Sequence, residues 1–269
     1  MLQSNSLKLI KPSQYLIANL DILGIQNKML CKSEKERIFE LSVLNSFIKD
    51  AKIGNPATKG LLDHLDSICF SDNIVVTYNI ANATSEQDLK DKCCYLVLYV
   101  LSLQALALVQ GYFLRGSIKF GELYIDKEIN FTCGQGLVET YLEESQLAIY
   151  PRVITKDKEL LEIIGDMSLQ NGHVLKDIFI KDADGIFFLD FLQMFCISSD
   201  IKEQMQIAKD CYNKYFLKDR YVNAKIQQKH DWFINYFNNF CARNNLSEYK
   251  IELADPLNQF TNKEEIFNG

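Results

Sequence analysis

From Cys93 to Leu114 the chain runs 22 residues without a formal charge, and this stretch must be kept out of water by whatever fold the protein adopts. The length suffices for a membrane-spanning helix. Against that reading, Ser102, Gln104 and Gln110 interrupt the run, and Gly111 has the character of a residue just past a helix C-terminus, with a strand opening at Tyr112. The pattern therefore predicts a buried helix from about Ser85 to Gln110 with no membrane partner. Glu86 and Asp88 fall in its first turn, where acids suit the positive end of the helix dipole. A chain of 269 residues, 48% hydrophobic, can build a sizeable core around such a helix, as one large domain or two small ones.

Two strand signals carry isolated acids. Ile68-Cys69-Phe70-Ser71-Asp72-Asn73-Ile74-Val75-Val76 reads as a tight β-hairpin with Asp72 at its bend. In Tyr15-Leu16-Ile17-Ala18-Asn19-Leu20-Asp21-Ile22-Leu23-Gly24 an apolar strand runs straight into Asp21 and then a glycine. Aspartate is a common turn residue, and either acid alone is explained as a strand terminator. If the two strands pair, the carboxylates converge. Such a pair suits a hard divalent ion, Mg²⁺ or Mn²⁺, which takes oxygen ligands and uses few protein carboxylates when it carries a triphosphate.

The rest of the chain alternates helix and strand. Residues 32–52 read as an amphipathic helix with Ile38, Leu41, Leu44, Phe47 and Ile48 on its apolar face, and Gly54-Asn55-Pro56 breaks it. A strand over residues 112–124 turns at Asp126-Lys127-Glu128 into residues 129–133, and Gly134 opens a helix through Glu144. Residues 148–154 return as a strand that Pro151 makes an edge or a bend. Asp182-Ala183-Asp184-Gly185 is a turn between two short apolar strands, its acids turn formers rather than ligands. Helices follow at about 200–218 and 222–243. The second carries Trp232, Phe233, Tyr236, Phe237 and Phe240, a stripe that belongs to a core or a subunit interface. The order implies an α+β fold, an antiparallel split-βαβ sheet of palm or ferredoxin-like type with helices on one face, extended by a C-terminal hairpin and helices. The corresponding segments are 12–155, 156–245 and a polar, loosely held tail, 246–269.

Charge narrows the partners. With 35 acidic against 29 Lys and Arg residues, net −6, the chain has no basic field for a nucleic-acid backbone, whereas a small phosphorylated ligand held through metal is compatible. Eight cysteines without a C-x-x-C and no signal-peptide pattern point to a reducing cytoplasm. His64, His173 and His230 are scattered without zinc-ligand spacing.

Taken in order, Leu20-Asp21-Ile22-Leu23-Gly24, Phe70-Ser71-Asp72, Leu114-Arg115-Gly116-Ser117-Ile118, the Gly134 to Glu144 helix and Ala148-Ile149-Tyr150-Pro151-Arg152 resemble a class III nucleotide cyclase, closest to the bacterial pyrimidine cyclases of Pycsar anti-phage systems. The resemblance spans roughly residues 15–245. It implies a homodimer with sites at the subunit interface and two divalent ions, Mn²⁺ or Mg²⁺, held by Asp21, the Ile22 carbonyl and Asp72. One ion would acidify the ribose 3′-hydroxyl and the other would neutralise the triphosphate, so that the oxyanion displaces pyrophosphate from the α-phosphorus. Backbone amides from Ile22 through Leu23 to Gly24 would face the phosphates, Phe70 would contact the nucleoside, and Arg115 would support the transition state.

The departures from that pattern are specific. Purine cyclases place polar, base-selecting residues where this chain has Ile68 and Phe131, and neither can hydrogen-bond a purine edge. They place a catalytic Asn and Arg where this chain has Val138 and Leu142. The reading that follows is a cyclase taking UTP, with CTP as the alternative, whose cyclic product acts on a separate effector. A catalytically inactive nucleotide-binding regulator is the non-enzymatic alternative. A diguanylate cyclase or palm-type polymerase shares the metal pair, but Phe70-Ser71-Asp72-Asn73 lacks the Gly-Gly-Asp/Glu-Glu-Phe pattern of the former.

Overall fold

The computed structural model describes residues 11–30, 33–53, 65–165, 167–168, 174–197, 200–220 and 222–252. The predicted chain break at Gly54-Asn55-Pro56 lies outside these residues, as do residues 253–269 of the tail. Strand β1 (Ser13–Leu23) leads through α1 (Ile25–Leu30) and α2 (Glu34–Ile53) to the hairpin β2 (Asp66–Phe70) and β3 (Asn73–Asn79). Then come α3 (Glu86–Val109), the long β4 (Phe113–Asp126), β5 (Phe131–Cys133), α4 (Gln135–Leu147), β6 (Val153–Thr155) and α5 (Lys158–Ile163). The C-terminal part holds β7 (Met167–Ser168), β8 (Val174–Leu175), β9 (Phe179–Lys181), β10 (Phe187–Leu189), α6 (Ile201–Tyr215) and α7 (Ala224–Arg243).

The main sheet runs β2-β3-β1-β4-β6-β10-β9, with β5 added to the far end of β4, so the fold is α+β as the element order implied. β6 and β10 are neighbours, and the sheet therefore continues across the boundary drawn at residue 155. Two details differ from expectation. β6 lies parallel to β4, and it spans only three residues, because Pro151 and the turn before it delay the strand to Val153. The helices also cover both faces of the sheet. On one face Leu16, Ala18, Leu20 and Ile22 of β1 pack against α3 in the main core. On the other, Tyr15, Ile17 and Leu123 form a small cluster under Leu137 of α4. That helix can lie flat on the sheet because Gly121 and Gly136 touch: a Cβ on Gly121 would stand 2.5 Å from the Gly136 Cα.

α3 is the predicted buried helix. Its N-cap Ser85 accepts from the Asp88 amide, and Gly111 leaves it with φ of 82°. By length and apolarity it would serve as a membrane span, yet Cys93, Leu96, Val97 and Val100 are fully buried against the sheet of this chain. In α2 only half of the expected face packs. Phe47 is buried with Leu44 and Ile48 beside the core, while Ile38 and Leu41 are exposed.

The aromatic stripe of α7 is core. Phe233, Phe237 and Phe240 are buried, and Phe113 at the start of β4 stacks on Phe216 at 4.0 Å and meets Phe233 at 4.9 Å. A subunit interface built on this stripe is thereby excluded. Burying each such ring contributes on the order of 2–3 kcal/mol, so α7 is tied to the sheet it crosses. The start of the predicted tail is also packed. Leu246 and Ile251 are buried, and Asn238 exchanges two hydrogen bonds with the Ile251 backbone, at 2.8 and 3.0 Å. Finally, the turn acids Asp182 and Asp184 pair with Arg152, which is 1% exposed and ringed by Tyr150, Phe188 and Trp232. A buried guanidinium needs such partners.

Candidate active site

Strand register builds the site. Asp21 lies opposite Asn73 on β3 and Arg115 on β4, and Phe70 on β2 lies opposite Asn73. Phe70, Asn73, Asp21 and Arg115 therefore form one row across four strands, at the end of the sheet where β1 stops. The next row holds Ile68, Val75, Asn19 and Ser117. By the alternation of side chains, both rows face the side that α4 occupies.

Asp72 is fastened to this row through the backbone. Its carbonyl accepts from the Ile22 amide at 2.9 Å, and its carboxylate lies 3.4 Å from the Asn73 side-chain amide. Ser71, with φ of 56°, makes the bend that turns residue 72 back toward β1. The strands do pair, and the two aspartates flank the same strand end. The Ile22 amide is thus spent on Asp72, which removes one donor from the phosphate-facing nest expected from Ile22 to Gly24. Ile22 is 1% exposed, Leu23 partly buried, and Gly24 is exposed with φ of 86°.

Arg115 has its anionic partners within the chain. Its Nε donates to Asp21 Oδ2 at 2.8 Å, and Glu144 Oε1 stands 2.9 Å from the same nitrogen without an aligned N–H. Sequence reasoning missed Glu144. It belongs to a ladder in which alternate residues of β4 each meet an acid of α4: Ser117 Oγ donates to Glu143 at 2.9 Å, and Lys119 pairs with Glu139 at 2.8 Å and Glu143 at 3.3 Å. The only signal in the sequence was Arg115 itself, a charge in an apolar strand that demands a counter-charge.

Glu144 is 2% exposed, and its pKa is pushed up from 4.5 to about 6. Burial is the main cause. Arg115 pulls the other way, and the charges of Asp21 and Asp72 add to the rise. All three acids are therefore near enough to act on one another. The donor set fits a hard divalent ion: oxygen ligands only, two carboxylates at one strand end, and a buried Glu144 oxygen with no hydrogen-bond donor. Among the described residues no group of three or more His, Cys, Asp and Glu is placed to hold a metal ion.

The remaining predicted residues lie at the surface, Phe70 and Ile68 on β2 near this point and Phe131 on β5, which pairs with the end of β4 far from Arg115. Phe70 is 79% exposed beside Asp72. Ile68 and Phe131 are both partly exposed, and Lys127 at the tip of the β4–β5 hairpin reaches Asp66 on β2 at 2.7 Å, so the hairpin bends back over the β2 edge that carries Ile68. Val138, Tyr141 and Leu142 are exposed on the outer face of α4, turned away from Arg115.

Comparison with known protein families and with curated proteins returns no match. Among solved structures the chain is similar to the guanylyl cyclase Cya2, at 14% identity and a TM-score of 0.43, over 67% of this chain and 94% of that one. It is similar to the adenylyl cyclase CyaB from P. aeruginosa, at 11% identity and a TM-score of 0.44, over 66% of this chain and 94% of that one. A third similar structure is a bacterial light-regulated adenylyl cyclase, at 9% identity and a TM-score of 0.38, over 74% of this chain and 100% of that one.

Proposed function

We propose that this chain is a nucleotide cyclase that converts UTP to 3′,5′-cyclic UMP and pyrophosphate, with CTP as the alternative substrate. The observation that carries the reading is the gathering of Asp21 and Asp72 at one strand end beside Arg115. Divalent ions bound there, Mn²⁺ or Mg²⁺, would supply the acidity for the ribose hydroxyl and the counter-charge for the triphosphate. The residues of the chain do the positioning. Arg115, held by Glu144, fixes one oxygen of Asp21 and leaves the other free to coordinate. Asp72 is kept next to Ile22 by its own carbonyl. Ile68 and Phe131 offer a base no hydrogen bonds, which penalises a purine with its larger set of polar edges.

The enzyme works as a homodimer in the cytoplasm in this reading, with Val138, Tyr141 and Leu142 of α4 meeting a second copy and its site. The cyclic product then acts on a separate effector, in the manner that the Pycsar resemblance implies. A nucleotide-binding regulator without turnover is the second reading, favoured by the contact of Arg115 with Asp21 and by apolar residues at positions 138 and 142. Incubation with each of the four NTPs and Mn²⁺, followed by mass spectrometry, tests both. Cyclic UMP as the main product is expected. Nucleotide binding without any cyclic product would select the regulator, and linear oligonucleotides would select a polymerase-type enzyme.

A further inference from the structure

Helix α7 enters the neighbourhood of the site from the C-terminal part of the chain. His230 and Phe233 meet the ring of Phe113 at 5.8 and 4.9 Å, and Phe113 lies two residues before Arg115 on β4, opposite Leu23 on β1. Between His230 and Phe233 in the sequence, Trp232 stacks on Tyr150 at 5.6 Å and 6°, just beyond the end of α4, the helix that carries Glu144. α7 thus crosses the corner where the ends of β1, β4 and α4 come together.

Lys229 stands at that crossing, next to His230. Its ammonium is partly buried and has no acidic partner among the described residues. The charges of both Arg115 and Asp21 reach it, and Lys225, one turn earlier on α7, adds another positive charge. Burial, with the repulsion from Arg115, holds its pKa below the ordinary lysine value. The other cations of the site are already committed, Arg115 to Asp21 and Glu144, and Lys119 to Glu139 and Glu143. A partly desolvated ammonium without a partner is unfavourable as it stands, and a polyanion arriving beside Asp21 would relieve it. A lysine, a mobile point charge with three donors, suits phosphate oxygens.

We propose that Lys229 binds the triphosphate of the nucleotide, so that α7 completes the phosphate subsite from the same chain as Asp21 and Arg115. The proposal rests on the reading of this corner as a nucleotide site. It makes the C-terminal helix part of the binding machinery rather than an appended layer.

The test compares wild type, Lys229→Gln and Lys229→Arg in the full-length chain by calorimetry. The probes are α,β-methylene-UTP with Mn²⁺, UMP with Mn²⁺, uridine, and inorganic tripolyphosphate in EDTA. Lys229→Gln is expected to weaken α,β-methylene-UTP and tripolyphosphate binding about tenfold or more. Uridine binding should be unchanged, UMP binding little changed, and Lys229→Arg should retain most of the affinity. Should Lys229→Gln not fold, Lys229→Met keeps the apolar stem and removes only the charge. Unaltered triphosphate affinity in the variants, or an equal loss for uridine and triphosphate, would overturn the role of Lys229 while leaving the nucleotide site standing. A wild-type chain that binds neither α,β-methylene-UTP nor tripolyphosphate would overturn both.

Discussion

Arg115 and Asp21 face each other across β4 and β1 and are joined by a hydrogen bond of 2.8 Å, so the strongest cation of the site is bound to the carboxylate expected to hold metal. The pair separates two aspartates that otherwise look alike. Asp21→Ala removes the acceptor of a charge-assisted bond, whereas Asp72 keeps its structural bond through its backbone carbonyl, which alanine retains. Both variants should lose cyclisation by at least about a thousandfold. Asp21→Ala should in addition lose about 1–2 kcal/mol of stability, and Asp72→Ala should lose almost none. Denaturant titration in EDTA beside product assays checks both statements. Wild-type turnover in either variant at saturating Mn²⁺ would refute the metal assignment.

Removing Arg115 itself should be worse for the fold. Arg115→Met leaves Asp21 and the buried Glu144 without their shared cation, and loss of a partly buried partner costs about 2–3 kcal/mol. The double variant Arg115→Met/Glu144→Gln should recover at least half of that loss. Additive losses in this cycle would mean that Glu144 and Arg115 do not interact energetically.

Glu144 also gives the metal-free protein a pH dependence. Its folded pKa, about 6, lies above the ordinary 4.5, so its contribution to stability is fully present below the unfolded value and is lost as pH rises through 6. That rise corresponds to about 2 kcal/mol. Glu144→Gln cannot ionise, so its unfolding free energy relative to wild type should increase by about this amount between pH 4.5 and pH 7. Parallel urea titrations in EDTA across that range would show it. A difference that stays constant with pH would place an ordinary carboxyl at this position.

The parts of this arrangement that were legible in the sequence are those with a strong local signal. The uncharged run became α3 because a helix this apolar has no stable place except against a sheet, and the two acid-ended strands paired because their apolar faces match. Glu144 was hidden for the opposite reason. In the sequence Glu139, Glu143 and Glu144 read as the solvated side of a helix, and only the β4–α4 packing turns them toward Arg115, Ser117 and Lys119. The parallel β6 was equally hidden, since a three-residue strand after a proline carries almost no periodic signal. The outer half of α2 misled in another way. Ile38 and Leu41 have helical spacing, but spacing does not reveal which turns of a helix reach the core.

Base choice follows from Ile68 and Phe131. Each unmet hydrogen bond of a purine edge costs on the order of 1–3 kcal/mol, so UTP should exceed ATP in kcat/KM by at least about tenfold. Initial rates with the two nucleotides under Mn²⁺ decide the matter, and comparable values would remove these residues from base selection.

Assembly gives the last prediction, and the structure changes its terms. With the α7 stripe buried, the apolar surface left for a second copy includes Val138, Tyr141 and Leu142 on α4, which are 55%, 53% and 44% exposed. In an isologous dimer one substitution enters the interface twice, so Leu142→Asp would bury two like charges near the axis. Wild type should therefore be dimeric by light scattering, and Leu142→Asp monomeric with an unchanged fold. Asp72 and Arg115 stand at one chain's site, so mixing Asp72→Ala with Arg115→Ala chains should restore nothing. Phe131 lies at the end of β4 far from Arg115, so in the shared-site reading it serves the partner's site, and mixing Asp72→Ala with Phe131→Asp chains should restore up to about a quarter of wild-type activity, because a heterodimer then holds one site with both halves intact. Complementation by the first mixture would place Asp72 and Arg115 in different half-sites, and a monomeric wild type with full activity would defeat the shared-site mechanism.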